Sequence, residues 1–208
     1  MNLTNYYWYF KSAVPEHTCD DISKYGKQLR DQIAVTGGYS NNKELNKNQI
    51  KDLKKKRNSD VVWMDERWIY NEIQPYINDA NIRAGWKFKW DHSEPCQFTK
   101  YKKGQYYGWH CDSWDKPYDR KGKPSHGKIR KLSVTVTLSD PKNYKGGELE
   151  FDFRNLDPDK KRNVHKCKEI LPKGSIVVFP SFVWHRICPV KSGERNSLVI
   201  WNLGYPFQ

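Results

Sequence analysis

A histidine and a carboxylate fall two residues apart at His110-Cys-Asp112. A third candidate ligand, His185, lies far downstream, with Arg195 beyond it. On an extended strand, residues i and i+2 project from the same face, so His110 and Asp112 can close on one ion together. Two imidazoles and one carboxylate on one side of a divalent iron leave its other coordination positions open to small molecules. An arginine beside such a site can hold the far carboxylate of a co-substrate through two parallel charge-assisted hydrogen bonds. The constellation points to non-haem iron chemistry on O2 with an acidic co-substrate.

The spacing needs its context, because His-x-acid alone is a weak signal. Six His and 24 acidic residues in 208 make one such pair by chance unsurprising, and the chain has two. His92-Ser-Glu94 adjoins Pro95 and reads as a solvent-exposed turn between strands. His110 instead follows Gly104 and Gly108 and precedes a long polar stretch, as expected where a barrel strand meets a loop. His185, flanked by Val183 and Ile187 on a late strand, is by itself equally readable as a core histidine. Its company with His110, Asp112 and Arg195 favours the metal reading. His126 and His165 sit in Lys-rich surroundings and read as surface residues.

Residues 189–194 read as the turn between the His185 strand and the last strand, which Arg195 opens. An arginine inside a barrel is costly unless it meets an anion. A carboxylate of 2-oxoglutarate would supply one. The Ser197 hydroxyl could donate to the same group, and Tyr101 offers a phenol from a neighbouring strand. Taken alone, Arg195 reads equally as a surface residue at a strand start.

The elements that must position these groups follow from periodicity. Residues 8–14 read as a strand. Pro15 opens a helix to about Val35, stopped by Gly37-Gly38, with Ile22, Tyr25, Leu29 and Ile33 at helical spacing. Residues 41–60 are polar, and the basic run 54–57 reads as a solvated helix end or loop. A second helix covers 65–84 with Trp68, Ile69, Ile73, Tyr76 and Ile77 inward. After Gly85 the texture changes to short strands, at 86–90, 96–101, 106–111, 131–139, 148–153, 166–171, 175–179, 183–189 and 195–202. Leu132, Val134, Val136 and Leu138 alternate with Ser133, Thr135 and Thr137, the pattern of a strand buried on one face. This predicts an α+β, mostly β fold of sandwich or jelly-roll type. A single domain over 1–208 is expected, with the N-terminal strand and helices in 1–85 and the metal-bearing core in 86–208.

Residues 113–128 form a polar loop directly after Asp112. Trp114 and Tyr118 stand there among Lys116, Arg120, Lys121 and Lys123, a mix that stacks on proline rings and attracts acidic flanks. The aromatic side chains Tyr106, Tyr107, Trp109 and Trp184 could wall the site against water.

Composition narrows the rest. No segment approaches 18 consecutive apolar residues, and the start lacks the features of a signal peptide, so cytoplasmic residence without a membrane is expected. The five Cys, odd in number and without CxxC spacing, read as reduced structural thiols. The net charge is +13, but 27 Lys against 10 Arg, with 15 Asn and 4 Ala, suggest an AT-rich genome rather than an arginine-built phosphate grip. Nucleic acid is therefore disfavoured as a partner, and a monomer is expected.

The chain resembles the prolyl 4-hydroxylase-like branch of the Fe(II)/2-oxoglutarate dioxygenases, including bacterial and phage PKHD-type hydroxylases. The resemblance rests on Tyr101, Gly104, His110, Asp112, His185 and Arg195 in order. Ser139-Asp-Pro, Gly146-Gly-Glu-Leu and Leu171-Pro-Lys-Gly-Ser-Ile-Val-Val-Phe-Pro180 also carry it. It covers about residues 96–202. It implies a double-stranded β-helix, iron on His110, Asp112 and His185, and 2-oxoglutarate on Arg195 and Tyr101 with Trp201 packed beside them. It implies O2 as oxidant and ascorbate as reductant. It also implies a peptide or protein substrate, Pro-rich or acidic, for which Tyr106, Trp114, Tyr118 and Trp184 are candidate contacts. Halogenases of this kind lack the carboxylate ligand, so Asp112 favours hydroxylation. A lysyl or small-molecule substrate is the alternative. AlkB-like nucleic-acid demethylation is disfavoured because no second Arg follows Arg195. A cupin-like binding module without turnover would have lost a ligand.

Overall fold

The alternating run that begins at Leu132 becomes a central strand, and the other elements are arranged about it. In the computed structural model, residues 5–29, 32–33, 46–113, 116–153 and 163–207 are described. In chain order the first elements are β1 (Trp8–Phe10), α1 (Glu16–Gln28), β2 (Gln32–Ile33), α2 (Lys47–Lys56), β3 (Arg57–Asn58), β4 (Asp60–Met64) and α3 (Arg67–Arg83). Then come β5 (His92–Ser93), β6 (Cys96–Tyr101), β7 (Tyr106–His110), β8 (Ile129–Thr137), β9 (Tyr144–Gly146), β10 (Leu149–Asp152) and β11 (Val164–Lys166). The last are β12 (Ile176–Pro180), β13 (Trp184–Ile187), β14 (Val190–Gly193) and β15 (Arg195–Gly204).

The larger sheet runs β1-β12-β8-β15-β6-β4-β2, with β5 added against the end of β15. The smaller sheet runs β11-β10-β13-β7-β3, and β14 pairs separately with β9. Among the described residues the strand pairings are antiparallel. This is the mixed, mostly β architecture expected.

Two apolar layers hold it. Leu132, Val134 and Val136 of β8, with Leu198 and Ile200 of β15 and Phe98 of β6, meet Ile22 of α1 and Ile69, Ile73 and Ile77 of α3. The helices thus cover the outer face of the larger sheet, as the spacing of Ile22, Ile69, Ile73 and Ile77 predicts, whereas Trp68, expected inward, is 40 % exposed. Between the sheets, Tyr101, Leu149, Phe151, Val177, Phe179 and Ile187 form the second layer. One strand serves both: Leu132, Val134 and Val136 of β8 face the helices, and Ser133 and Thr135 face the interior of the barrel.

Several expectations are corrected. The first helix ends at Gln28, where Leu29 turns extended and β2 follows; the Gly37-Gly38 stop lies outside the described residues. The polar segment 41–60 holds α2, opened by a reciprocal Asn46–Gln49 capping box, and runs on into β3 and β4. Residues 86–90 are not a strand, because Lys87 takes φ 52°. The 166–171 segment is the end of β11 followed by a short 3-10 turn at Lys168–Ile170. Residues 189–194 contain β14 rather than a bare turn. His165 is not a free surface residue; it lies 2.9 Å from the Tyr7 hydroxyl and stacks on Tyr7.

Gly26 shows how tightly α1 sits on the sheet. A Cβ there would lie 2.6 Å from Cδ1 of the buried Phe98 ring. Alanine normally favours a helix over glycine by about 0.5–1 kcal/mol. Overpacking at this contact costs about 1–3 kcal/mol. Gly26→Ala should therefore lower the midpoint of thermal or urea unfolding. An unchanged or raised midpoint would mean that α1 does not pack on Phe98 this closely.

Candidate metal centre

The antiparallel register of β13 on β7 sets His185 directly opposite His110. The next pair is Ile187 with Tyr107, so two steps on β13 span three on β7. This bulge re-aims β7, bringing Tyr107 and His110 to the same side despite their odd spacing. Immediately after β7 the chain is pinned by two backbone bonds to the Ser181 carbonyl, from Asp112 N at 2.8 Å and Ser113 N at 2.9 Å. His110, Asp112 and His185 thereby offer three ligand atoms that all lie within 4.8 Å of one another.

The chemistry of the donors fits a cation. Nδ1 of His110 lies 2.8 Å from the Gly108 carbonyl, and Nδ1 of His185 lies 3.0 Å from the Val183 carbonyl. A carbonyl only accepts, so each Nδ1 carries the proton and each Nε2 presents its lone pair. Those Nε2 atoms stand 3.7 and 3.6 Å from the two Asp112 oxygens, beyond hydrogen-bond reach and wide enough for an ion between them. Burial and the neighbouring His185 depress the His110 pKa to about 3, so the ring is neutral at pH 7. Burial alone would raise the Asp112 pKa, but His185, His110 and Arg130 overcome it and hold it at about 2. The buried Trp201 indole N–H adds to that effect from beside the carboxylate without reaching hydrogen-bond geometry. Ser133 Oγ donates to Asp112 Oδ2 at 2.7 Å. The Ser133 proton being used, Ser181 Oγ donates to Ser133 across 2.9 Å.

The cavity over these ligands is lined by Arg57, Tyr101, Tyr107, Phe179, Ser197 and Trp201, among others. Its free volume is about 30 Å³, enough for a water. The basic run 54–57 reads differently in place: Arg57 is only 4 % exposed, a correction to its reading as solvated. Its guanidinium lies 4.5 Å over the Tyr107 ring, and Tyr107 stacks at 3.5 Å on His110. Arg57 Nε donates to Ser59 Oγ at 2.9 Å, and Nη1 reaches Gln97 Oε1 at 3.4 Å. Burial raises the Tyr107 phenol to about 12.

Arg195 opens β15 opposite Tyr101 of β6. It is 2 % exposed, its guanidinium lies 5.7 Å from the Tyr101 ring, and Nη1 donates to Ser197 Oγ at 3.3 Å. It forms no ion pair with the carboxylates of the described residues. Tyr101, Ser197 and Trp201 line the metal cavity, and Arg195 contacts two of them, Tyr101 and Ser197.

The aromatic candidates divide. Tyr106 does not line the cavity; its hydroxyl donates to the Lys54 and Lys55 carbonyls at 3.1 and 2.9 Å, at the end of α2. Trp184 pairs with Asp152 in register and, by alternation, faces away from His185. Trp109 carries the Arg186 guanidinium 4.6 Å over its ring, outside the cavity. Trp114 lies outside the described residues. Tyr118 belongs to a cluster that the sequence did not announce. Its centre is Glu94, which is 6 % exposed rather than in an open turn. Glu94 pairs with Arg130 at 2.5 Å and with Arg120 at 3.7 Å. Arg130 stacks 3.9 Å over Trp201, and Arg120 4.2 Å over Tyr118. The loop is further closed by Tyr118 N to Lys128 O and Gly127 N to Tyr118 O, both 2.9 Å. Residues 116–128 are therefore tied to the rim of the site.

Comparison with known proteins agrees with this geometry. The PKHD-type hydroxylase of Synechococcus sp. strain CC9605 is 36 % identical over 102 residues, which is 49 % of this chain and 38 % of that protein. That of Hyphomonas neptunium is 40 % identical over 100 residues, 47 % of this chain and again 38 % of the relative. The chain thus spans well under half the length of these relatives. In three dimensions it is similar to a viral collagen prolyl hydroxylase from Paramecium Bursaria Chlorella virus-1, with a TM-score of 0.63, 21 % identity and 97 % of both chains covered. A Pseudomonas putida prolyl-4-hydroxylase gives a TM-score of 0.62 at 18 % identity, over 96 % of this chain and 93 % of that one. These likenesses establish the prolyl-hydroxylase type of β-helix as the fold. The pattern that defines one superfamily matches residues 96–202, the span holding the His-x-Asp and His185 strands, and the chain belongs to the 2OG-Fe(II) oxygenase superfamily.

Proposed function

We propose that the chain hydroxylates a prolyl residue in a peptide or protein, holding iron(II) on His110, Asp112 and His185 and 2-oxoglutarate on Arg195 and Tyr101. The observation that carries this reading is the conjunction of two sites. Three ligand atoms stand around one point at the smaller sheet, and on the larger sheet a buried arginine stands without a carboxylate partner among the described residues. Bound there, iron(II) with 2-oxoglutarate and O2 would supply the oxidising chemistry that hydroxylates a C–H bond, with release of succinate and CO2.

The protein side of the chemistry is positioning. Gly108 and Val183 carbonyls fix both imidazole tautomers, and Ser133 orients the carboxylate. Arg195 supplies a fork for a distal carboxylate, with the Ser197 hydroxyl beside it. Tyr107, Phe179, Ile187 and Trp201 wall the reacting region and keep bulk water out. Arg120, between Glu94 and the Tyr118 ring, holds the 116–128 loop at the mouth, where an extended peptide would cross. The prolyl choice is supported by the fold shared with prolyl hydroxylases and by the PKHD-type relatives. Incubating the protein with Pro-containing peptides, Fe(II), 2-oxoglutarate and ascorbate should add one oxygen to a prolyl residue by mass spectrometry. If only lysyl or small-molecule acceptors gain oxygen, the prolyl reading fails and the superfamily chemistry stands.

Alanine at His110, Asp112 or His185 should abolish turnover and Mn(II) binding seen by electron paramagnetic resonance. His92→Ala should leave metal binding intact; the reverse pattern would mean that the ligand set is wrong. Ser133→Ala removes a hydroxyl bonded to Asp112 and should weaken metal affinity about tenfold or more. Unchanged affinity would make Ser133 a packing residue. Arg195→Ala should raise the 2-oxoglutarate requirement about tenfold or more with little change in metal affinity. Arg195→Lys should recover part, since a point charge replaces a fork. An unaltered requirement in Arg195→Ala would place the co-substrate elsewhere.

A further inference from the structure

The segment between α3 and β5 forms a second pocket with the end of β15, separate from the metal cavity. Trp86, Phe88, Trp90, Tyr205 and Phe207 wall it, Lys131 enters from β8, and its free volume is about 560 Å³. Three features mark it as a built site. Lys131 is only 4 % exposed, with Nζ 3.8 Å from the centre of the Phe207 ring and no ion pair to a carboxylate of the described residues. The acid at the pocket edge, Asp91, is already taken by Lys128 at 2.7 Å. A buried ammonium lacking a counter-charge is costly, and an incoming anion would relieve that cost.

The wall, moreover, is held in a strained shape. Lys87 stands at φ 52°, a left-handed conformation that costs about 1–2 kcal/mol for a residue with a side chain. Its backbone N donates to Asn81 O at 3.1 Å, and the Asn81 amide makes two 2.9 Å bonds with the backbone of Phe88. On the other side only glycine fits at Gly204, where a Cβ would lie 2.2 Å from Lys89 O.

The pocket is also connected to the metal centre. Ser181 N donates to Lys131 O at 3.0 Å, while Ser181 O receives Asp112 N at 2.8 Å. The next residue, Phe182, has its ring 6.4 Å from Phe88 and 6.2 Å from Phe207. An extended chain crossing the metal centre can therefore continue along Phe182 into this pocket.

We infer that the pocket is a substrate subsite that takes the carboxylate of an Asp or Glu in an extended, proline-containing segment, a few residues from the residue to be oxidised. The inference deepens, and rests on, the peptide-hydroxylase reading above. Aromatic walls suit the rings and preformed extended shape of proline segments. A single ammonium at the bottom suits one side-chain carboxylate, and the exposed Lys87 and Lys89 at the lip add charge of the same sign. A sugar-phosphate backbone would instead call for a row of cations along a groove.

The test is calorimetric titration of the full chain with two blocked peptides of equal length, one of Pro-Pro-Glu repeats and one of Pro-Pro-Gln repeats. The Glu peptide should bind about tenfold tighter. Lys131→Met should remove that preference while leaving Mn(II) binding at the metal centre unchanged. Tyr205→Ser, at the open lip, should weaken both peptides without altering their ratio. Equal affinity of the parent for the two peptides, no binding of either, or a preference that survives in Lys131→Met overturns the inference. So does displacement of the Glu peptide by oligothymidylate in a manner that depends on Lys131. The two readings fail separately. Peptides hydroxylated without a Lys131-dependent charge preference would sink the subsite alone, and Lys131-dependent binding without hydroxylation would sink the prolyl reading alone.

Discussion

The pairing of β13 with β7 is the constraint on which the site depends. It sets His185 across from His110, and the bulge beside it turns Tyr107 onto the His110 ring. Had the register slipped by one residue, His185 would face the far side of the sheet and Trp184 or Arg186 would stand in its place. The β10 strand on the other side of β13 holds that register, with Phe151 opposite His185 and packed in the apolar layer between the sheets. Asp112 lies just beyond the strand, where regular pairing has stopped. The Ser181 carbonyl replaces the lost ladder bonds there.

Stability and chemistry share β8. Its apolar residues bind the sheet to α1 and α3, and its hydroxyl residues between them face the cavity. Ser133 reaches the Asp112 carboxylate from a strand that the helices cover on its other face. An ionised carboxylate and two imidazoles, all largely desolvated, are costly to assemble without a cation. The oriented bonds from Gly108, Val183 and Ser133 fix these groups in the form that binds one.

The legible part of this site was the part that follows strand periodicity. His110 and Asp112 share a face by alternation, His185 falls on a strand with an apolar pattern, and the β8 run states its own burial. Arg195 stood out only through its company with the three ligands, downstream of His185. What stayed hidden depends on contacts distant in sequence. Arg57 looks like the last of four basic residues, and only the pairing of β3 with β7 carries it under the cavity. A period of two groups Tyr106 with His110, and one extra residue in a bulge replaces it with Tyr107. Glu94 resembled an exposed turn until Arg130 and Arg120, more than twenty residues away, closed on it.

The account is tested most directly by anomalous diffraction from crystals grown without oxygen in the presence of Fe(II) and 2-oxoglutarate. It predicts one iron peak bonded to Nε2 of His110, Nε2 of His185 and an oxygen of Asp112. The 2-oxo acid should be chelated to that iron, with its far carboxylate against Arg195. Iron at another cluster, or a co-substrate whose far carboxylate lies away from Arg195, would contradict it.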